Sequence, residues 1–347
     1  MKSLLFETLL KEWGVWLTIV ILLLATLLFS TQLATWLEKA AFIKVLDSLS
    51  KLGLLIAIIA FLREIPKWEE RAAEEAKRRQ FEYWKAIDAA NAARESSPDG
   101  RFTSYALTIA LENLAQEHDE KGNPIKMRNV DLSGANLEDG IKLSRIDLSL
   151  CKFRYANLSG ADFSQSSLRR ANFARARLFG TNFYDADLGI AGTRTIFKQA
   201  VYDERTIFPA GFNPEEAGAF KIAPEVSLKN APLTKALLWD ADLEKADLDA
   251  ADLERATLDG SNLKEANLRE ANLQEVKARN VNFQGADLSK ADLREANLFD
   301  AILDNANIRE TNFENAEHIT VEQIKSAQNW EQAIYDDNFR KKLGLNP

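Results

Sequence analysis

The sequence predicts a mainly β solenoid, laid down as two blocks of five-residue repeats between helical ends. Three observations carry this. From Val130 onward Leu or Phe recurs every five residues, a period that is neither the helical 3.6 nor the strand 2. A small residue, usually Ala, stands two places before most of them. Ahead of the repeats, Lys67–Glu95 is rich in Ala, Glu, Lys and Arg and free of Gly and Pro, a composition of strong helix formers.

The chain opens with a segment read as a membrane anchor, residues 1–65. Gly14–Trp36 holds about 23 residues without a charge, with Trp13, Trp16 and Trp36 near its ends. That length spans a hydrocarbon core of about 30 Å, and Trp favours its boundaries. A cleaved signal peptide fits poorly, because the core is too long and no A-x-A site closes it. The second apolar run, Leu52–Leu62, is too short to cross alone. Extended over about 46–65, with Lys51 snorkelling, it reads as a second transmembrane helix after 14–36. The competing reading is an interfacial helix with Phe42, Val45, Leu46, Leu49 and Leu52 on one face. Arg63, Lys67, Arg71 and Lys77–Arg79 follow, which places the repeat domain on the cytoplasmic side of a multi-pass protein.

Pro66 is expected to end that helix. Residues 66–124 read as a helical stalk and N-terminal cap. Glu74–Arg78 and Glu75–Arg79 are i,i+4 pairs, and Phe81, Trp84 and Ile87 form a stripe suited to docking on the repeats. After the turn Ser96–Gly100, a second helix with Phe102, Tyr105, Ala106, Ile109, Ala110 and Leu114 on one face is expected to cover the first coil.

The first repeat block occupies 125–192, its twelve central residues running from Leu132 to Leu188 and all Leu or Phe. Cys151 falls in a small-residue slot, so a buried, inert thiol is expected. A Pro/Gly-rich connector, 193–230, reads either as a binding loop or as a packed bend. The second block, 231–318, holds eighteen pentapeptides, and sixteen of their central residues are Leu, Ile or Phe, with Ala278 and His318 the exceptions. Polar substitution at Leu253 or Leu268 is expected to cost several kcal/mol. The C-terminal cap, 319–347, opens with the capping box Thr320–Gln323 and leads a helix through Trp330, Ile334 and Tyr335 to Phe339, Leu343 and Leu345.

Runs such as ADLEK ADLDA ADLER and ANLRE ANLQE resemble the pentapeptide-repeat family over roughly 150 residues. The resemblance implies a right-handed quadrilateral β-helix, four pentapeptides to a square turn, with the central Leu/Phe and the preceding Ala pointing inward. Ala200–Gly218 (AVYDERTIFPAGFNPEEAG) is similar to a connector of cyanobacterial, membrane-anchored members, as are Glu64–Pro66 and Tyr83–Ile87.

Composition narrows the function. The formal charge is −8, from 52 acidic and 44 basic residues, which argues against nucleic-acid binding. It is uneven: residues 130–188 hold 8 Lys/Arg and 7 Asp/Glu, residues 231–318 hold 10 and 19. One cysteine excludes an intrachain disulfide, and His118 and His318 lie too far apart in sequence to suggest a cluster. No P-loop, GxGxxG, GxSxG, HExxH or CxxC occurs. Asp242, Asp247, Asp252, Asp287 and Asp292 precede central leucines at a spacing that spreads them over separate outer faces. Catalysis needs a concave pocket instead, so no enzyme activity is expected, and no catalytic, cofactor-binding or metal residues are assigned.

The leading expectation is a non-enzymatic, membrane-tethered protein-interaction scaffold or regulatory module. Its partners would be the lipid bilayer, through the N-terminal helices, and an unidentified protein; neither direct nucleic-acid binding nor a small-molecule ligand is expected. Its candidate surface lies in the acidic block. The resemblance also implies an alternative, a DNA-mimicking regulator of a topoisomerase or other nucleic-acid enzyme. A third is an accessory subunit of a membrane transport complex.

Overall fold

The computed structural model describes residues 41–95, 102–103, 105–118, 123–138, 140–190 and 192–345. They fall into two units: 41–84 with 116–118 and 123, and the described residues of 85–115 with those from 124 onward.

Helix α1 (Ala41–Glu95) runs without a break, with Pro66 inside it. The expected stop at Pro66 is corrected. An internal proline costs about 3 kcal/mol, and the long run of helix formers behind it offsets that cost. A Lys67–Glu64 ion pair at 2.5 Å and an edge-to-face Phe61–Trp68 contact at 5.7 Å straddle the proline.

No helix of the described residues is long and apolar enough to cross a membrane. The expected span over 46–65 is corrected accordingly. Its apolar run, Leu52–Leu62, gives about 16 Å of helix against a core of about 30 Å, and Lys51 and Arg63–Glu64 close it. The other expected span, 14–36, lies outside the described residues. The multi-pass membrane localisation with a cytoplasmic repeat domain is overturned by this finding, and the bilayer loses its support as a partner.

In the second unit, Ile87 and Ala90 of α1 are buried. Helix α2 (Tyr105–Gln116) buries Leu107, Ala110, Leu111 and Leu114. The expected face included Tyr105 and Ile109, which are exposed. With apolar residues on several sides of YALTIALENLA, periodicity alone does not choose between them. Strand β1 (Phe102–Thr103) pairs in parallel with β2 (Ala135–Asn136), and Glu112 accepts a hydrogen bond from the Lys142 backbone N–H at 3.0 Å. Both contacts serve backbone groups of the first coil, which has no coil beneath it.

In the repeats, the outward residue before each central Leu or Phe forms a parallel bridge to its equivalent one coil on. The series Asp247, Asn267, Asp287, Asn307 steps by 20 residues, so four pentapeptides close one coil. The Leu253 N–H donates to the Asn272 carbonyl at 2.7 Å, and the Asn272 N–H to the Ala251 carbonyl at 2.9 Å. Each corner is closed by a bond such as Ala256 N–H to Leu253 O, 2.9 Å. The residue two after the central one takes left-handed φ, 57° at Lys245 and 56° at Arg255. That conformation excludes β-branched side chains most strongly, which accounts for the charged, amide and glycine residues there.

The central residues and the preceding alanines fill the interior, and Leu248, Leu253, Leu268 and Leu288 are all fully buried. In the first block phenylalanine occupies opposite walls. Phe153, Phe173 and Phe197 stack at 4.7 and 5.3 Å, and Phe163, Phe183 and Phe208 at 5.4 and 5.5 Å. Edge-to-face contacts of about 5.5 to 5.8 Å link the two stacks.

Phe197 and Phe208 belong to the Pro/Gly-rich segment after the first block, so much of that segment continues the coil. The bridges Asn172↔Ile196, Arg177↔Val201 and Asn182↔Ile207 absorb the extra residues at corners. Strands β3 (Val201–Tyr202) and β4 (Phe220–Lys221) pair in parallel above them. From Ser227 the 20-residue step resumes.

The far end is closed by α3 (Val321–Ser326), a 3₁₀ turn (Trp330–Gln332) and α4 (Asp337–Leu343). The capping box at Thr320 and Gln323 is present. The single closing helix is corrected to these three pieces, because Gln328 and Ile334 leave helical geometry to bridge Asn307 and Asn312 of the last coil. Tyr335 stacks on Phe313 at 5.8 Å.

Leu253→Ala opens a cavity in a ladder with no room to collapse and should cost about 2–5 kcal/mol. The shift of the denaturant midpoint of the repeat region measures it, and a loss below about 1 kcal/mol would contradict a dry, filled interior.

Candidate functional site

The outward columns separate into those that hold the coils together and those left available. Asp242, Asp247, Asp252, Asp287 and Asp292 do the former. Each accepts a hydrogen bond from the backbone N–H two residues on, at 3.0–3.3 Å. Asn262, Asn267, Asn272 and Asn307, one coil later, donate side-chain amides to Asp242, Asp247, Asp252 and Asp287 at 2.8–3.0 Å. These carboxylates are spread along the rod and gather in no pocket. Asp259 and Asp292 are pushed up by burial, but their arginine partners Arg279 and Arg294 hold both below the usual carboxylate value.

Every face of the second block also interleaves cations with its acids. Lys229–Asp249 (2.6 Å), Arg255–Glu275 (2.6 Å), Arg279–Asp259 (2.7 Å) and Lys245–Glu265 (3.9 Å) each stand on a different face. Exposed pairs contribute about 0–1 kcal/mol each; their larger effect is to break up the negative field.

Exposed large apolar residues also stand outward: Phe299 and Ile302 on the second block, and, on the first block and the coil that continues it, Leu150, Ile190 and Ile196 at or beside the wall of Lys152 and Tyr184 and Ile207 on the opposite wall. Tyr184 and Ile207 lie in a shallow trough of about 440 Å³ with Arg145, Asp162, Gln165 and Asn182. Asn182 donates to Asp162 at 3.0 Å and Arg145 to Gln165 at 2.8 Å, so the trough floor is a tied ladder.

Where the two blocks meet, Arg177 is buried, 5% exposed. Its Nη1 donates to the Leu237 carbonyl and its Nε to Ser159 Oγ, both at 3.1 Å. The guanidinium lies 3.8 Å from the Phe179 ring centre and 4.6 Å from that of Trp239. Burial pulls its pKa down to about 10, while Asp240, Asp203 and Glu138 favour the cation, so the charge persists at neutral pH. Phe179 and Val201 join the core of the second block. Sequence reasoning missed this junction. Its signal was present in Phe179, Leu237 and Trp239, apolar residues in slots that are otherwise polar.

Cys151 is fully buried and its thiol donates to the Met127 carbonyl at 2.8 Å. Burial raises its pKa to about 12. His118 and His318 are both exposed. Among the described residues no group of three or more His, Cys, Asp or Glu is placed to hold a metal ion.

Coils of four pentapeptides with Leu/Phe and Ala ladders define a pentapeptide-repeat β-helix. Residues 126–170, 156–189, 227–264, 246–285 and 279–315 match the family profile described as Pentapeptide repeats (8 copies). Residues 126–189 and 227–315 of the chain are thus pentapeptide repeats of that family. No curated protein matches it. Among solved structures, it is similar to HetL, a pentapeptide repeat protein involved in heterocyst differentiation regulation from the cyanobacterium Nostoc sp. strain PCC 7120. Identity is 25%, over 60% of this chain and 93% of that one, with a TM-score of 0.21. A trypsin-treated form of QnrB1, a plasmid-mediated fluoroquinolone resistance protein, is 17% identical over 59% and 94%, with a TM-score of 0.22. A second Nostoc pentapeptide repeat protein is 24% identical over 35% and 97%, with a TM-score of 0.17.

Two outcomes follow for this region. In the native protein Cys151 should resist a thiol reagent at pH 8, because the raised pKa leaves almost no thiolate and the site is closed, and it should react on unfolding. Rapid labelling of the folded chain would contradict the buried ladder. Arg177→Met should strand the buried Leu237 carbonyl at a cost of about 1–3 kcal/mol. Hydrogen exchange should then speed up around Val201 and Leu237 while Asn267 and Asp287 stay protected; uniform acceleration would mean the junction is not a local lock.

Proposed function

We propose that this chain is a non-enzymatic protein-interaction module and that its docking surface is the outer wall of the first block around the Tyr184–Ile207 trough. The observation that carries this reading is the exposed apolar pair Tyr184 and Ile207 side by side in one polar-rimmed trough. The second block meanwhile uses most of its outward groups in ladders and ion pairs. A rod whose corners and walls are hydrogen-bonded coil to coil loses little conformational entropy on binding. A patch of Tyr and aliphatic side chains rimmed by polar groups has the make-up of an interface centre. Mimicry of DNA has less support, since a DNA-like surface calls for an unbroken anionic field and all four faces of the second block carry cations.

The test is site-specific photocrosslinking in extracts of the source cells, with a benzophenone side chain replacing Tyr184 or, as control, Gln284 of the second block. An adduct with a second protein is expected at 184 and not at 284. Adducts at 284 alone, or at neither position, would reject this docking surface.

A further inference from the structure

The wall of the first block that begins at Lys152 is strongly basic, and most of its cations lack acidic partners. Lys152 pairs with Asp131 at 3.6 Å, and on the neighbouring wall Arg128 pairs with Asp147 and Arg169 with Asp187, both at 2.6 Å. By contrast Arg154, Arg170, Arg175, Arg194 and Lys198 form no ion pair with any carboxylate among the described residues. Two of these guanidiniums are held in place by neutral groups. Arg175 donates to Tyr155 Oη at 2.6 Å and to Gln199 Oε1 at 2.8 Å, and Arg170 to the Gly192 carbonyl at 3.2 Å. Arg154 and Arg175 both lie over the Tyr155 ring, at 5.8 and 5.5 Å. The cations sit on successive coils, about 4.8 Å apart per step. Ile196 stands within the wall and Leu150 and Ile190 at its corner, all exposed.

We propose that this arginine wall binds an acidic segment of another protein, one that carries aliphatic residues among its carboxylates. The inference rests on the protein-interaction reading and names the chemistry of a partner for the wall opposite the Tyr184–Ile207 trough. Guanidinium forks match carboxylates in bidentate geometry, and neutral hydrogen bonds to Tyr155 and Gln199 pre-orient Arg175 without consuming its charge. The exposed Ile196, Leu150 and Ile190 favour a polypeptide over a phosphodiester chain, for which they offer nothing. The net charge of −8 and the acidic second block also oppose a long polyanion running beyond this wall.

The experiment uses the full-length protein and a fluorescein-labelled twelve-residue peptide of alternating Glu and Val, read by fluorescence anisotropy. A Gln-for-Glu peptide, a twenty-nucleotide single-stranded DNA and vesicles containing phosphatidylserine run in parallel. The acidic peptide should bind, the Gln peptide at least tenfold more weakly, and binding should fall as salt rises. The double variant Arg154→Gln/Arg175→Gln should lose at least tenfold in affinity, with Arg154→Lys/Arg175→Lys intermediate and Arg169→Gln, on a paired cation, within about twofold of the parent. An unchanged circular dichroism spectrum separates lost binding from lost fold. Equal binding of the Gln peptide, tighter binding of the DNA or vesicles, or self-association abolished by the same substitutions would each overturn the proposal. An adduct at position 184 together with no binding of the acidic peptide would leave the interaction module standing and remove only this partner.

Discussion

The closure of each coil after 20 residues, so that every wall finds its hydrogen-bonding partner directly above, is the constraint on which the rest of the structure depends. Once Leu253 must bond to Asn272 and Asn272 to Ala251, the side chain that follows each bridge has nowhere to go but inward. The narrow interior then admits one large and one small residue per wall. The same closure decides where extra residues are tolerated. Gly140 and the additions before Ile196 and Ile207 all sit at corners, and the bridges on either side keep their pairing. Gly140 takes φ of 77°, and a Cβ there would approach the Gly160 carbonyl to 3.3 Å, so the first insertion also needs the residue that carries no side chain.

With the interior committed, function is left to the outward slots, and these are not equivalent. Those just before the central residue are half occupied by structural duty, as the Asp–Asn contacts show. Those one and two places after it project from the corners with fewer obligations. Tyr155, Arg175, Tyr184 and Ile190 occupy such positions, which is why the surfaces available to a partner lie along edges as much as on flat walls. The junction follows the same logic inverted: Arg177, Phe179, Leu237 and Trp239 are outward residues that found a covering surface within their own chain.

Much of the repeat architecture was legible because its signal is local and redundant; no single Leu has to be interpreted alone when the next one stands five residues away. The capping box at Thr320 was legible for a similar reason, being a four-residue pattern with its own hydrogen bonds. What failed depended on competition between distant energies. Pro66 reads as a terminator, yet the helix formers behind it outweigh one lost bond. Helix α2 offers two apolar stripes, and only contact with the first coil selects Leu107 and Leu111. The single closing helix broke because the last coil's open edge recruits Gln328 and Ile334, a demand made by tertiary structure. The basic wall was hidden by a balanced total: 8 cations against 7 anions says nothing of which ones pair.

The Asp–Asn contacts of the second block have a consequence for how such a rod changes length. On two of its walls the residue before the central leucine alternates strictly, Asp247, Asn267, Asp287, Asn307 on one and Asp252, Asn272, Asp292, Asn312 on the next. In this slot each aspartate therefore has an asparagine above it, and no two of these aspartates stack at the coil spacing of about 4.8 Å. Loss of the single coil bearing Asn267 and Asn272 would set Asp247 on Asp287 and Asp252 on Asp292, two like-charge contacts at once. Loss or duplication of two adjacent coils preserves the alternation. On these two walls the charge pattern thus repeats every forty residues, twice the structural repeat.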